Sequence, residues 1–195
     1  MTFQRSGERL SVILHPAVLM VITMFLLSWD TRGSVGWAIL DVAILVVGIL
    51  PGLLYIFIKA RRGDFGHYQL LIKEERRTVF PILIGGLALS FVLYLATQAP
   101  APLMRGMGLA VVGGIGTAII NRFWKISMHA AVGGGCAALF VFLSLPVVWI
   151  LIALTLVAGV ARLMAQHHTP AQVVGGGLYG FGITVLLNGL LLRFS

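Results

Sequence analysis

Carboxylates are scarce in this sequence, and so are charges of any kind. Of 195 residues only six are Asp or Glu, against fourteen Lys or Arg, and all charged residues together make up 10%. Soluble domains carry roughly 25%. There is a single cysteine, Cys136, so no internal disulfide can form and a secreted disulfide scaffold is excluded. Hydrophobic residues reach 59%, and the mean hydropathy is +1.01. A core that apolar has too little polar surface to cover it in water, which excludes a soluble globular enzyme and a disordered chain. The net charge of +8 does not imply nucleic-acid binding, because the cations sit between apolar runs and leave no soluble fold to carry a basic face.

A membrane-crossing helix needs about 20 apolar residues. The runs Leu10–Trp29, Val35–Ile58, Val79–Ala96 and Leu103–Ile120 each qualify. The first is longer than a signal-peptide core and is followed by no small-residue cleavage site. From Ala130 to Ala161 no residue is charged. Those residues as one helix would measure about 48 Å at ~1.5 Å per residue, too long for a slab of about 30 Å. Ser144-Leu145-Pro146 is the natural break, giving spans Ala130–Leu143 and Pro146–Ala161. The last span is Pro170–Leu192. The expected architecture is all-α: one polytopic helical bundle of six to seven spans occupying residues 1–195. The 24 glycines, several in runs such as Gly133-Gly134-Gly135 and Gly175-Gly176-Gly177, suit close helix packing. No strand precedes these runs and no Lys-Ser/Thr follows them, so they do not read as phosphate loops.

Two spans separate Thr78 from Lys125, and two more separate Lys125 from His168. These loops therefore share one side, together with the N-terminus. That side holds eleven cations, the other only Arg32, Arg105 and Arg193. The positive-inside rule assigns the crowded side to the cytoplasm, and the expected setting is a prokaryotic plasma membrane.

Ionisable groups near a bilayer are costly and mark candidate sites. Three clusters lie on the shared side. Lys73, Arg76 and Arg77 are three and four residues apart, on one helical face; paired with Glu74 and Glu75 they also suit a solvated basic patch. Ser127-Met128-His129 opens the fifth span, where Ser127 suits a helix N-cap. Arg162 precedes His167-His168, Pro170 and Gln172, which also suits an interfacial loop. Adjacent histidines with no cysteine and few carboxylates make a poor metal site. Together the clusters supply cations, a hydroxyl and histidines with almost no carboxylate, a set built for an anion. Arg and Lys hold phosphate oxygens; one histidine can attack phosphorus while another protonates the leaving oxygen. The clusters are expected to converge, with His129 and His168 flanking a phosphate-sized space. Asp41, within the second span, has no motif partner and is expected to face other helices; His15-Pro16 and His167 are expected to be structural.

These residues resemble the three motifs of the type 2 phosphatidic acid phosphatase superfamily: Lys-x6-Arg-Pro, Pro-Ser-Gly-His and Ser-Arg-x5-His-x3-Asp. Ala161-Arg162 is followed after five residues by His168 and after three more by Gln172. Ile126-Ser127-Met128-His129 keeps the Ser and His of the second motif. Lys73 is followed after six residues by Phe80-Pro81, with Arg76 or Arg77 in place of the motif arginine. The resemblance implies a metal-independent membrane lipid-phosphate phosphatase without a cofactor. Its substrate would be a polyprenyl diphosphate, phosphatidic acid or similar lipid, and its partners membrane lipids rather than nucleic acid. His168 would be the nucleophile that becomes phosphohistidine and His129 the general acid. Lys73, Arg76 or Arg77, Ser127 and Arg162 would bind phosphate. Gln172 stands where the family has Asp and would orient His168 without adding charge. A phosphotransferase on the same site, or a non-catalytic lipid-phosphate binder or transporter, are the alternatives.

Overall fold

The computed structural model describes residues 2–66, 72–141 and 147–193, apart from the side chains of Thr2 and Lys73. The described residues form eight helices and no strand: α1 (Thr2–Ile13), α2 (Pro16–Arg32), α3 (Val35–Arg61), α4 (Lys73–Ala96), α5 (Ala101–Phe123), α6 (Met128–Val141), α7 (Val147–Met164) and α8 (Pro170–Arg193). Six stretches are long and apolar enough to cross a membrane: Phe3–Arg32, Val35–Arg61, Glu74–Ala96, Ala101–Phe123, Val147–Met164 and Pro170–Arg193. At most a third of the best apolar window in each is buried within the protein. Val47, Ile119 and Leu186 are among the apolar side chains left facing outward. Such a surface is stable only against hydrocarbon, so this is a multi-pass membrane protein. α6, at 14 residues, extends about 21 Å at ~1.5 Å per residue and falls short of the slab. The expected break at Ser144-Leu145-Pro146 lies outside the described residues.

The first expected span, Leu10–Trp29, is not one helix. It is broken between α1 and α2 at Leu14-His15. Pro16 has no amide to give and its ring excludes a continuing helix, so α2 starts there. His15 caps the new helix: its Nδ1 accepts the Ala17 amide at 3.2 Å. α4 also begins earlier than the apolar run suggested, with the basic cluster forming its first turn.

The chain forms two compact units. One comprises Val21–Trp124. Here α3 and α4 form an antiparallel pair joined along a small-residue seam. Tyr94 Oη donates to the Asp41 carbonyl at 2.6 Å, Ser90 Oγ donates to the Ile44 carbonyl at 3.0 Å, and Gly48 lies against Gly86. Side chains at either glycine would strike the facing backbone, which is how small residues bring transmembrane helices together. Asp41 is fully buried, and its partners are now evident. Ser28 Oγ donates to Oδ2 at 2.6 Å, and Arg32 Nε lies 3.0 Å from the same oxygen. The Arg32 guanidinium also covers the Trp37 ring at 4.3 Å. Removing one member of a buried pair strands the other, at a cost of about 3–5 kcal/mol. Asp41→Ala is therefore expected to lower the melting temperature in detergent sharply, and Asp41→Asn, which keeps an acceptor for Ser28, less so. Equal melting of Asp41→Ala and parent would show that this network does not hold α2 to α3.

The other unit comprises Met1–Met20 and Lys125–Ser195. α6 and α8 run parallel and nearly touch: Gly176 lies against Ser127, Gly180 against Ala131 and Gly134 against Gly177. α7 returns antiparallel to α6, with Thr155 packed on Gly133. α1 lies on α7, Gly7 fitting against Ala161, Met164 and Ala165.

Candidate functional site

The site is built where α6 and α8 begin and α7 ends. Ser127 starts α6 as its N-cap: its carbonyl takes the Ala131 amide at 2.9 Å, and its Oγ faces the Ala130 amide at 3.5 Å. The Ser127 amide in turn donates to the Gln172 carbonyl at 3.0 Å, so the first turns of α6 and α8 are held side by side. Parallel helices whose N-termini meet direct their positive dipole ends to one place, which favours an anion there.

The α7 end sets the spacing of the third cluster. The Gln166 amide donates to the Leu163 carbonyl at 2.9 Å and the His167 amide to the Arg162 carbonyl at 3.2 Å, with Gln166 at φ 57°. This is a Schellman turn with a left-handed residue at its corner. It brings His168 back over the last turn of α7, where Arg162 is buried. Lys125 Nζ donates to the His167 carbonyl at 3.1 Å. Lys125 and His168 therefore share one end of the unit, with the antiparallel pair α6 and α7 between them.

α8 then opens with a capping box. The Gln172 amide faces Thr169 Oγ1 at 3.3 Å, and the Thr169 amide donates to Gln172 Oε1 at 3.2 Å. Pro170 fills the first helical position, where no amide is needed. The same Oε1 lies 3.1 Å from His168 Nδ1. Because the Thr169 amide can only donate, the atom facing it must be the oxygen of Gln172. That oxygen can only accept, so His168 carries a proton on Nδ1, which in the neutral ring leaves the lone pair on Nε2.

His129, in the first turn of α6, is buried. Its Nε2 lies 3.0 Å from the Ser11 carbonyl, an acceptor only, so this ring holds its proton on Nε2. The His15 ring meets it edge-on, with centroids 5.9 Å apart. Arg162 and His168 lie within electrostatic reach of His129. An open depression of about 440 Å³ adjoins the cluster and is lined by Gln166, His167, His168, Thr169 and Gln172 among others. Among the described residues no group of three or more His, Cys, Asp or Glu could hold a metal ion. Glu8 is the only carboxylate side chain in Met1–Met20 and Lys125–Ser195, against five Lys or Arg.

No family model, curated protein or solved structure matches the chain. What can be said of the site therefore rests on its own chemistry.

Of the expected residues, Ser127, His129, Arg162, His168 and Gln172 come together. Lys73, Arg76 and Arg77 belong to the other unit. There Arg76 is buried and donates from Nη1 to Asn121 Oδ1 at 2.9 Å, while Arg77 is exposed. The Lys73 side chain lies outside the described residues. Sequence reasoning missed Ser11, Thr169 and Asn121 and counted Lys125 only as a topological charge. The Thr169-x-x-Gln172 spacing ahead of an apolar run is a legible capping-box signature. The Ser11 carbonyl carries no sequence signal at all.

Proposed function

We propose that this protein is a membrane phosphatase that hydrolyses a lipid phosphomonoester or diphosphate through a phosphohistidine on His168. The observation that carries the reading is the His168 ring: Nδ1–H held by Gln172 Oε1 at 3.1 Å, which leaves the lone pair on Nε2. A histidine so held is a nucleophile with one defined tautomer. Support comes from the buried guanidinium of Arg162, the paired N-termini of α6 and α8, and a unit with one carboxylate side chain among five Lys or Arg.

In this mechanism the Nε2 lone pair attacks phosphorus and the bond to the lipid oxygen breaks. His129 gives that oxygen a proton. Water then attacks the phosphohistidine and gives a proton to His129, which restores it; the N–P bond breaks, phosphate leaves and Nε2 recovers its lone pair. Arg162 and Ser127 hold the phosphate oxygens. The resemblance implies Lys73 and Arg76 or Arg77 as further phosphate ligands; these residues belong to the other unit. The positive-inside count assigns the end bearing Lys125 and His168 to the cytoplasmic side of a prokaryotic plasma membrane.

The test is phosphate release by the purified protein in detergent, with EDTA present, on a panel of lipid monophosphates and diphosphates. Release from at least one lipid is expected. Lipid-phosphate binding without any release, at high protein concentration, would replace this reading with that of a binder.

A further inference from the structure

The break at Pro16 leaves backbone acceptors at the end of α1. The Leu14 amide goes to the Leu10 carbonyl and the His15 amide to the Val12 carbonyl. Pro16 has no amide to contribute, and no continuing helix covers the remaining carbonyls of the last turn. One of these, Ser11 O, takes the Nε2–H of His129. α1 reaches that position through Gly7, where an added Cβ would lie 2.6 Å from the Ala165 amide nitrogen, 2.7 Å from Met164 Cβ and 2.8 Å from the Ala161 carbonyl. Backbone cannot retreat as a flexible side chain can, so the docked position of α1 requires glycine there. Gly7, Ser11 and Leu14 form the buried stripe of this segment, while Phe3, Gln4, Arg5, Arg9 and Ile13 face outward.

We infer that α1 is a positioning element for the general acid: docked on α7 through Gly7, it holds the Nε2–H of His129 with the Ser11 carbonyl and leaves Nδ1 to serve the substrate. The inference rests on the reading of His129 as the acid of the proposed phosphatase. The carbonyl has the orienting part that a carboxylate has beside many catalytic histidines, without a carboxylate's charge. The His15 ring meets the same imidazole edge-on. Buried and within reach of the Arg162 charge, His129 rests neutral; its Nδ1 takes a proton from the monoanionic phosphate of the substrate and passes it to the leaving lipid oxygen, while the Nε2 proton stays on Ser11. With α1 undocked, the ring loses that hydrogen bond and turns.

The test compares the full-length parent with Gly7→Leu and the milder Gly7→Ala, at matched monodispersity and melting temperature. Gln4→Ala, on the outward face of the same helix, is the control and should behave as the parent. Two quantities are read: hydrolysis of an alkyl lipid phosphate against an aryl phosphate with a good leaving group, and modification of His129 by diethyl pyrocarbonate, followed by mass spectrometry. We expect Gly7→Leu to lose roughly tenfold or more on the alkyl substrate, within the range that a general acid contributes. The aryl substrate should change little. His129 should be protected in the parent and reactive in the variant, with Gly7→Ala between the two. Equal losses on both substrates would make α1 a structural brace and overturn the inference. Persistent protection of His129 in Gly7→Leu, with the parent turning over, would overturn it alone. A parent that releases no phosphate would sink the phosphatase reading and this role with it.

Discussion

Replacing His168 with alanine is expected to abolish phosphate release, by a factor on the order of 10⁴ or more, as removal of a covalent nucleophile does. The fold should tolerate the change. The ring sits at the edge of an open depression, and Gln172 Oε1 keeps the Thr169 amide as a donor after His168 is gone. Loss of activity with an unchanged melting temperature therefore reports chemistry. His129→Ala should cost less, about 10²–10⁴, and its cost should shrink as the leaving group improves. The covalent step can be read directly. Parent protein quenched in alkali during turnover should carry a phosphoryl group on the peptide containing His168, and His129→Ala should accumulate it only with good leaving groups. A His168→Ala protein that still turns over would remove the phosphohistidine from the mechanism.

The helices were legible because hydrocarbon imposes a simple requirement on a sequence. Runs of about 20 apolar residues ended by Lys59-Ala60-Arg61, by Pro100 or by Arg162 can do little else. The third cluster was legible for a local reason: Arg162, His168 and Gln172 lie within eleven consecutive residues, and a helix end followed by a helix start folds them together with few choices. What stayed hidden lies at long range. Arg76 finds Asn121 and Asp41 finds Ser28, Arg32 and Tyr94, and no periodicity in one segment states which residue of another it will meet. The break at His15-Pro16 was visible in the proline, but its consequence was not. A backbone carbonyl exposed at a helix end has no letter of its own in the sequence, and Ser11 enters the site by its carbonyl rather than its side chain. Lys125 and His168 do share one end of their unit, where the ammonium of Lys125 meets the His167 carbonyl, because α6 and α7 run out and back between them.

Gln172 is the residue on which helix capping and the proposed chemistry compete for one atom. Its Oε1 accepts from the Thr169 amide at 3.2 Å and from His168 Nδ1 at 3.1 Å. Gln172→Leu removes both bonds, so a slower enzyme could mean a frayed α8 or a free His168 ring. Thr169→Ala separates these. It removes the other half of the capping box, at a cost of about 1 kcal/mol, and leaves Oε1 facing His168. We expect Thr169→Ala to lower the melting temperature and keep most of the rate, and Gln172→Leu to lower the rate by roughly tenfold or more, equivalent to about 1.4 kcal/mol of barrier. Gln172→Asp should keep or raise the rate. A carboxylate makes a hydrogen bond to the imidazole about twice as strong as a neutral acceptor does, and it stabilises the positive charge that grows on the ring as phosphorus is attacked. Its negative charge also suits the N-terminal turn of α8. The measurement is the initial rate of phosphate release for the four proteins in one detergent, with melting temperatures recorded alongside. If Gln172→Leu runs as fast as the parent, Gln172 does no more than cap α8, and the His168 tautomer is set by something other than its amide.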